Sequence, residues 1–197
     1  PNINSECGNV WGYNGSTGDV DWSYDYHRMM NSFRRFPLVA GWLYTEHHDV
    51  INEWNGYWRF DRSEKETGLG AIMEGMRLND LHSPVYLSMG NEIPRTVQAG
   101  EVLMQPMFLS VMTGEDFGQT LSIESELWHT DAIGETKQQF QSIQLINYRP
   151  WMQDTLPDLR LNIPAQNGLA VLTVKVMDES GEVLHRNFMH FEVTGGQ

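Results

Sequence analysis

The chain has 197 residues and carries 26 acidic against 13 basic side chains, a formal net charge of -13 at pH 7. This surplus of negative charge repels phosphate backbones and anionic lipids, which argues against nucleic acid or a membrane as a partner. With 40% hydrophobic and 11% aromatic residues, the sequence is too apolar for a disordered chain. The single cysteine, Cys7, excludes an internal disulfide and a Cys-rich zinc site.

The first 44 residues have the pattern of strand, loop, helix, strand. A short apolar and polar stretch ends at Cys7-Gly8, and glycine and asparagine then give residues 7–21 the composition of a loop. From Trp22 to Phe36 the apolar residues recur at helical spacing, with Asp21 as a possible cap and Pro37 as a stop. Residues 38–44 read as a buried strand, so the pattern predicts one βαβ unit of a parallel sheet.

Beyond residue 83 the sequence changes to runs of alternating apolar residues. Seven such runs at short spacing, separated by turn-forming residues, predict an antiparallel sandwich. The predicted strands are Val85–Met89, Val102–Val111, Gln119–Trp128, Lys137–Ile146, Leu159–Ile163, Ala170–Asp178 and Val183–Val193.

These patterns predict a mainly β fold in three segments: a βαβ segment over 1–65, a connector over 66–83 and a β-sandwich domain over 84–197. One βαβ unit cannot bury both faces of a parallel sheet. The first segment is therefore expected to be an incomplete piece of a larger (β/α)8 barrel. We also expect the chain to be part of a longer protein, because it begins at Pro1 without a signal-peptide pattern.

Two groups of residues at predicted strand ends could carry chemistry. Asn4 to Gly8 places the carboxylate of Glu6 at the carboxyl end of the first strand, which is the active face of an α/β barrel. Ala40 to Glu46 brings aromatic and acidic residues to the end of the next strand. Aromatic rings beside carboxylates suit a sugar, which offers an apolar face for stacking and hydroxyls for hydrogen bonds.

The stretches PNINSECG, followed by Trp11-Gly12, and GWLYTEHHDVINEWNGYWRFDR resemble the last two barrel strands of glycoside hydrolase family 2. That family contains β-galactosidases and β-glucuronidases, and its barrel is typically followed by immunoglobulin-like β-sandwich domains. The resemblance rests on sequence motifs over roughly residues 1–65. Over the remainder it rests only on the order of the segments and on the strand-rich pattern.

The resemblance implies a retaining mechanism, in which one carboxylate attacks the anomeric carbon and a second protonates the leaving oxygen. Glu6 falls on the nucleophile position, although Cys7 replaces the larger residue that commonly follows it. Trp11, Tyr44 and Glu46 are expected near the sugar. The acid/base is expected upstream of Pro1, so the isolated chain should be inactive.

Three other sets of residues have a structural interpretation as well as a functional one. His47-His48-Asp49 is better read as a polar loop than as a metal site, since no third ligand of matching spacing stands out. Trp11, Trp54 and Trp58 could be sugar platforms or loop-packing aromatics. Asn91-Glu92 imitates the acid/base motif but follows the nucleophile instead of preceding it, and is interpreted as a turn.

The sequence thus predicts part of a retaining glycoside hydrolase acting on O-glycosidic bonds of oligo- or polysaccharides. Its expected partners are the carbohydrate and the remainder of the parent polypeptide, with no cofactor and no metal. A periplasmic or secreted location is expected rather than a cytoplasmic one. The alternative is a non-catalytic carbohydrate-binding or structural β-sandwich module.

Overall fold

The chain is mainly β, as predicted. The structure is a computed structural model, which describes residues 1–8, 18–51, 53–90 and 92–196. The elements within those residues are β1 Asn2–Cys7, α1 Ser23–Arg34, β2 Val39–Tyr44, α2 Leu69–Ile72, a 3₁₀ helix Leu78–His82, β3 Val85–Ser88, β4 Pro94–Gln98, β5 Val102–Val111, β6 Thr120–Asp131, β7 Thr136–Asn147, β8 Gln153–Asn162, β9 Gly168–Met177 and β10 Val183–Thr194. In this part of the chain no helix has the length and apolar character needed to cross a membrane.

The N-terminal unit has the predicted βαβ order, and β1 and β2 pair in parallel. The backbone N–H of Ser23 donates to Asp21 Oδ1 over 2.9 Å, so Asp21 satisfies one of the free amides at the start of α1. The apolar stripe of α1 is buried through Trp22, Tyr26 and Met30. The peptide bond between Thr45 and Glu46, just beyond β2, is cis.

The second half forms two sheets with a shared core. The five-stranded sheet has the order β4-β10-β9-β6-β7 and the three-stranded sheet the order β3-β5-β8. The buried side chains between them come from both sheets, among them Leu87, Leu109, Leu121, Leu172 and Phe191. The seven predicted strands are present, but β4 was not predicted, and it pairs with β10 in parallel, so the sandwich is not purely antiparallel.

Alternation predicts that the inward positions of the sandwich include Val85, Leu87, Phe108, Leu121, Ile123, Leu145, Leu172, Val174, Val176 and Phe188. Three of these residues lie elsewhere. Leu145 on β7 is 71% exposed, because Phe140 and Ile146 occupy the core side of that strand. Phe108 is only partly buried and lies under the guanidinium of Arg35. Phe188 is fully buried, but in a second core on the other side of β10.

This second core joins the N-terminal unit to the sandwich. It is built from apolar residues that belong to all three predicted segments. Its buried members are Trp22, Tyr26, Met30, Leu69, Met73, Met76, Leu81, Tyr86 and Phe188. The predicted connector is therefore part of a packed junction, with α2 and the 3₁₀ helix supplying side chains to it.

Buried polar side chains complete the junction where β3 borders α1. The Asn187 Nδ2 group donates to the backbone oxygen of Leu87 over 2.7 Å, and the backbone N–H of Met89 donates to Asn31 Oδ1 over 3.1 Å. His27 and Asn31 also bond to the side-chain oxygen of Asn187. Two side-chain amides thus satisfy the backbone groups that a neighbouring strand would otherwise satisfy.

Arg34, at the end of α1, is the charged centre of the same junction. Its guanidinium donates to the backbone oxygens of Ser83, Pro84 and Ser110 and to Ser110 Oγ. It also lies over the rings of Trp42, on β2, and Tyr86, on β3. Burial lowers the pKa of Arg34 to about 10, which leaves the side chain charged at neutral pH. One side chain therefore links α1, β2, β3 and β5.

Candidate functional site

The carboxyl ends of β1 and β2 are held together by short contacts. The backbone N–H of Thr45 donates to the oxygen of Cys7 over 2.7 Å. The Cys7 thiol donates to the backbone oxygen of Leu43 over 3.3 Å, and burial raises the pKa of this thiol. Gly8 follows directly, so the predicted strand end with its glycine lies beside the end of β2. This is the edge at which parallel sheets place their functional residues.

A β-bulge in β1 determines where Glu6 points. Asn4 pairs with Trp42 and Cys7 with Tyr44, so three steps on β1 match two steps on β2. Paired residues point to the same side, and here that side is the one covered by α1. The extra residue leaves Ser5 and Glu6 on the opposite, exposed face.

Glu6 shares this open face with apolar side chains. Ile3 pairs with Gly41, and Leu43 follows two residues later, so both side chains lie on the face away from α1. Both are exposed in this chain. The backbone N–H of Glu6 donates to Asn4 Oδ1 over 3.2 Å, which ties the bulge to its own strand. The face presents an exposed carboxylate among apolar residues.

Tyr44, predicted near the sugar, lies on the α1 side of β2. Its ring stacks on Trp22 with centroids 4.8 Å apart and also approaches Tyr26 and Tyr57. Its hydroxyl is buried without a hydrogen-bond partner, and burial raises the pKa of the phenol. Tyr44 and Glu6 are therefore on opposite faces of the strand pair, and Tyr44 packs in the aromatic core beneath the strand ends.

Glu46 lies just beyond β2, at the same edge as Glu6. The side chain is half-buried, and its Oε1 atom has no hydrogen-bond partner. Burial raises the pKa of Glu46. The neighbouring carboxylate of Glu53, with which Glu46 hydrogen-bonds, and the carboxylate of Asp49 raise this pKa further. Glu46 therefore retains its proton to a higher pH than an isolated glutamate.

Asn55 is a site residue that the sequence reasoning missed. Its Nδ2 group donates to the backbone oxygen of Thr45, and a side chain on Gly8 would collide with it, since an added Cβ would lie 2.6 Å from Nδ2. Asn55 is buried, and its Oδ1 atom has no partner. Only the Asn55-Gly56 dipeptide, a turn signal, marks this position in the sequence.

A buried ion pair fixes the loop that carries Asn55. Lys65 Nζ lies 2.8 Å from Asp49 Oδ1 and 3.2 Å from Asp19 Oδ1. The same Asp49 oxygen accepts the backbone N–H of Gly56 over 2.9 Å. A Cβ on Gly56 would lie within 2.5 Å of the His48 backbone, so only glycine fits there. Asp49 therefore has a structural role in the loop, in agreement with the polar-loop interpretation of residues 47–49.

The remaining candidates fall into three groups. Trp11 lies outside the described residues. Trp54 and Trp58 are half-buried in the loop after β2, where their backbone oxygens accept from Lys65 and from Asp49. Glu92 is exposed between β3 and β4, far along the chain from the strand ends, and Asn91 is outside the described residues.

No known protein family and no curated protein matches the chain. Two of the solved structures that match the chain illustrate a low similarity. An exo-chitosanase of Amycolatopsis orientalis, in complex with PNP-β-D-glucosamine, has a TM-score of 0.47 and 10% identity over 86% of this chain and 18% of its own. An alkylpurine DNA glycosylase of Pseudomonas fluorescens, bound to DNA with an abasic-site analogue, has a TM-score of 0.38 and 15% identity over 64% of this chain and 33% of its own.

The chain thus spans a third or less of each of these two proteins. The exo-chitosanase is a glycoside hydrolase, whereas the other protein is a DNA glycosylase.

Proposed function

We propose that the chain is the C-terminal part of a retaining glycoside hydrolase of the β-galactosidase or β-glucuronidase type. Its substrate is the O-glycosidic bond of an oligo- or polysaccharide. Glu6 is the nucleophile, and the acid/base lies in the preceding part of the parent polypeptide. The protein is periplasmic or secreted.

The observation that carries this proposal is the position of Glu6. A bulge turns its carboxylate onto the open face at the carboxyl end of two parallel strands. In the proposed reaction one Glu6 oxygen attacks the anomeric carbon, and the bond from that carbon to the leaving oxygen breaks. The acid/base protonates the leaving oxygen, and water later cleaves the glycosyl ester to release Glu6.

Glu46 and Asn55 supply hydrogen-bonding groups near the ends of β1 and β2, the edge at which Glu6 lies. Each has a buried oxygen without a partner, and an unpaired buried oxygen is costly unless a ligand satisfies it. Sugar hydroxyls donate to such acceptors. Glu46 therefore keeps its predicted role at the sugar, and Asn55 joins it.

The open face of β1 and β2 also supports the proposal that further barrel strands cover it in the parent protein. Parallel strands are normally covered on both faces, yet Ile3 and Leu43 are exposed on the Glu6 side of the β1 and β2 pair. The remainder of a barrel would cover these side chains and bring the acid/base to about 5 Å from Glu6. For this reason we expect the isolated 197-residue chain to show no turnover of nitrophenyl glycosides.

The test is Glu6→Gln in the parent protein, with Glu92→Gln as the matched control because Glu92 is exposed and distant in sequence from the strand ends. Turnover of an aryl glycoside should fall by several orders of magnitude in the first variant and stay near normal in the control. Azide should restore cleavage of activated substrates by Glu6→Ala. Near-normal turnover by Glu6→Gln would refute the assignment.

A further inference from the structure

Trp128 is the one tryptophan of β6, the strand next to the β7 edge of the five-stranded sheet, and it points away from the sandwich core. The residues of β6 alternate strictly, with Leu121, Ile123 and Leu127 buried in the core and the intervening side chains on the outer face. Trp128 belongs to the outer set and is 37% exposed. A large aromatic side chain therefore occupies a position whose neighbours on the same strand, Glu126 and Thr130, are polar.

The indole of Trp128 is held in place by its neighbours. Its Nε1 donates to Glu126 Oε2 over 3.1 Å, and Gln138 Nε2 donates to Glu126 Oε1 over 3.1 Å. Gln141 Nε2 makes a longer contact of 3.4 Å to the same oxygen. Glu126 thus accepts from one indole and two amides, which fixes the ring and the polar groups beside it.

The backbone opposite Trp128 is also irregular. Leu127 pairs with Phe140, but Trp128 pairs with Gln138, so β7 carries an extra residue at this point. Such bulges redirect side chains at functional positions. On the other side of the ring, Thr130 and Thr136 form a hydroxyl pair 2.8 Å apart.

We propose that this surface, defined by Trp128, Glu126, Gln138, Thr130 and Thr136, binds a neutral glycan. The apolar face of a pyranose stacks on the indole, while its hydroxyls meet amide and hydroxyl groups at the rim of the ring. An anionic ligand would be repelled by Glu126 and by the net charge of the chain. The side chains are already fixed by one another, so little conformational entropy is lost on binding.

The composition of the surface favours a sugar over a protein partner. The cores of protein interfaces are depleted in glutamate and serine and rich in contiguous apolar residues. Here the exposed Ile143 pairs with Glu124, the exposed Leu145 with Ser122 and the exposed Leu169 with Thr130, so each of these apolar residues has a polar partner on β6. This site lies on the sandwich and does not depend on the role of Glu6.

The test is affinity electrophoresis of the 197-residue chain through native gels that contain neutral polysaccharides, namely hydroxyethyl cellulose, xyloglucan, galactomannan or arabinogalactan, at 0.15 M salt. At least one gel should retard the wild type. Trp128→Ala should abolish this retardation, and Gln138→Ala should weaken it. Trp151→Ala is the matched control, because Trp151 is 66% exposed in the turn before β8 and should retain full retardation.

Glu6→Gln should also retain full retardation, which separates this site from the proposed catalytic one. Circular dichroism and size-exclusion elution should be unchanged in Trp128→Ala. The proposal is overturned if no gel retards the wild type, if Trp151→Ala loses as much retardation as Trp128→Ala, or if Gln138→Ala leaves it unchanged. It is equally overturned if Trp128→Ala changes the oligomeric state, since the surface would then be a contact between copies.

Discussion

The two halves of the molecule bury their apolar residues in different ways. The sandwich places its apolar side chains between two sheets, and the buried residues of that core all lie within residues 85–193. The N-terminal unit covers only one face of its two strands, through the second core and the polar junction with β3 and β10. The other face, which carries Glu6, stays open. The sandwich therefore supports the strands of the candidate site from behind without contributing to the surface at which a sugar would bind.

Removing the N-terminal unit should have the largest effect on this arrangement. A fragment of residues 81–197 should fold with strand-type circular dichroism, but Tyr86 and Phe188 lose the side chains that bury them. Each such exposure costs about 1.5–3 kcal/mol. Urea unfolding of the fragment and the full chain should therefore differ by several kcal/mol, and equal stability would show that the junction contributes nothing to the sandwich.

The polar junction itself can be broken by Asn187→Ala. The substitution removes the Asn187 hydrogen bonds to the backbone oxygen of Leu87 and to the His27 ring, and one of the hydrogen bonds of Asn31. Because an unpaired buried group costs about 1–3 kcal/mol, the free energy of unfolding should fall by about 3 kcal/mol. Asn147→Ala, at the exposed end of β7, is the control and should change it by less than about 0.5 kcal/mol. Equal effects of the two variants would contradict the role of the network.

Acid should weaken the same junction. Burial lowers the pKa of His27 to about 4, of His82 to about 4 and of His185 to about 3. A histidine in the unfolded chain titrates near 6.5, so below that pH the unfolded chain binds more protons. The stabilisation is complete above about pH 6.5 and is lost as the pH falls towards 4. Urea midpoints measured from pH 7 to 4.5 should decrease, and His27→Gln should decrease less steeply. Parallel slopes would exclude His27 as a contributor.

The smallest effect is expected at Leu145, where alternation predicted burial and the structure shows an exposed side chain. Leu145→Ala should change the free energy of unfolding by less than about 0.5 kcal/mol. Leu172→Ala removes a side chain that is fully buried between the sheets and should cost about 2–5 kcal/mol. Similar decreases in the free energy of unfolding for both variants, measured with urea, would mean that Leu145 points into the core and that the register of β7 differs by one residue.

The sequence predicts the elements whose patterns are local. The βαβ order and seven of the sandwich strands follow from periodicity and turn residues. β4 was missed because it is only five residues long, begins with Pro94, and gains its pairing from β10 almost a hundred residues later. Leu145 was placed wrongly because apolar residues of both parities occur on β7, where Phe140 and Ile146 compete with Ile143 and Leu145 for the core.

The candidate site was also predicted only where its sequence pattern is local. Glu6 is recognisable because a strand, a carboxylate and a glycine follow one another directly. Asn55 acts only through its position beside Gly8 and Thr45, which depends on the Asp49 and Lys65 ion pair. The junction has a local sequence signal, since His27 and Asn31 lie four residues apart on α1 beside its apolar stripe.

The most direct test of the central claim is to trap the glycosyl ester on Glu6. The parent protein would be treated with 2-deoxy-2-fluoro glycosides of galactose and glucuronic acid that carry a good leaving group, then digested and analysed by mass spectrometry. We expect one of these sugars to be attached to the peptide containing Glu6, and we expect no adduct with Glu6→Gln. An adduct on another carboxylate, with Glu6 unmodified, would contradict this claim.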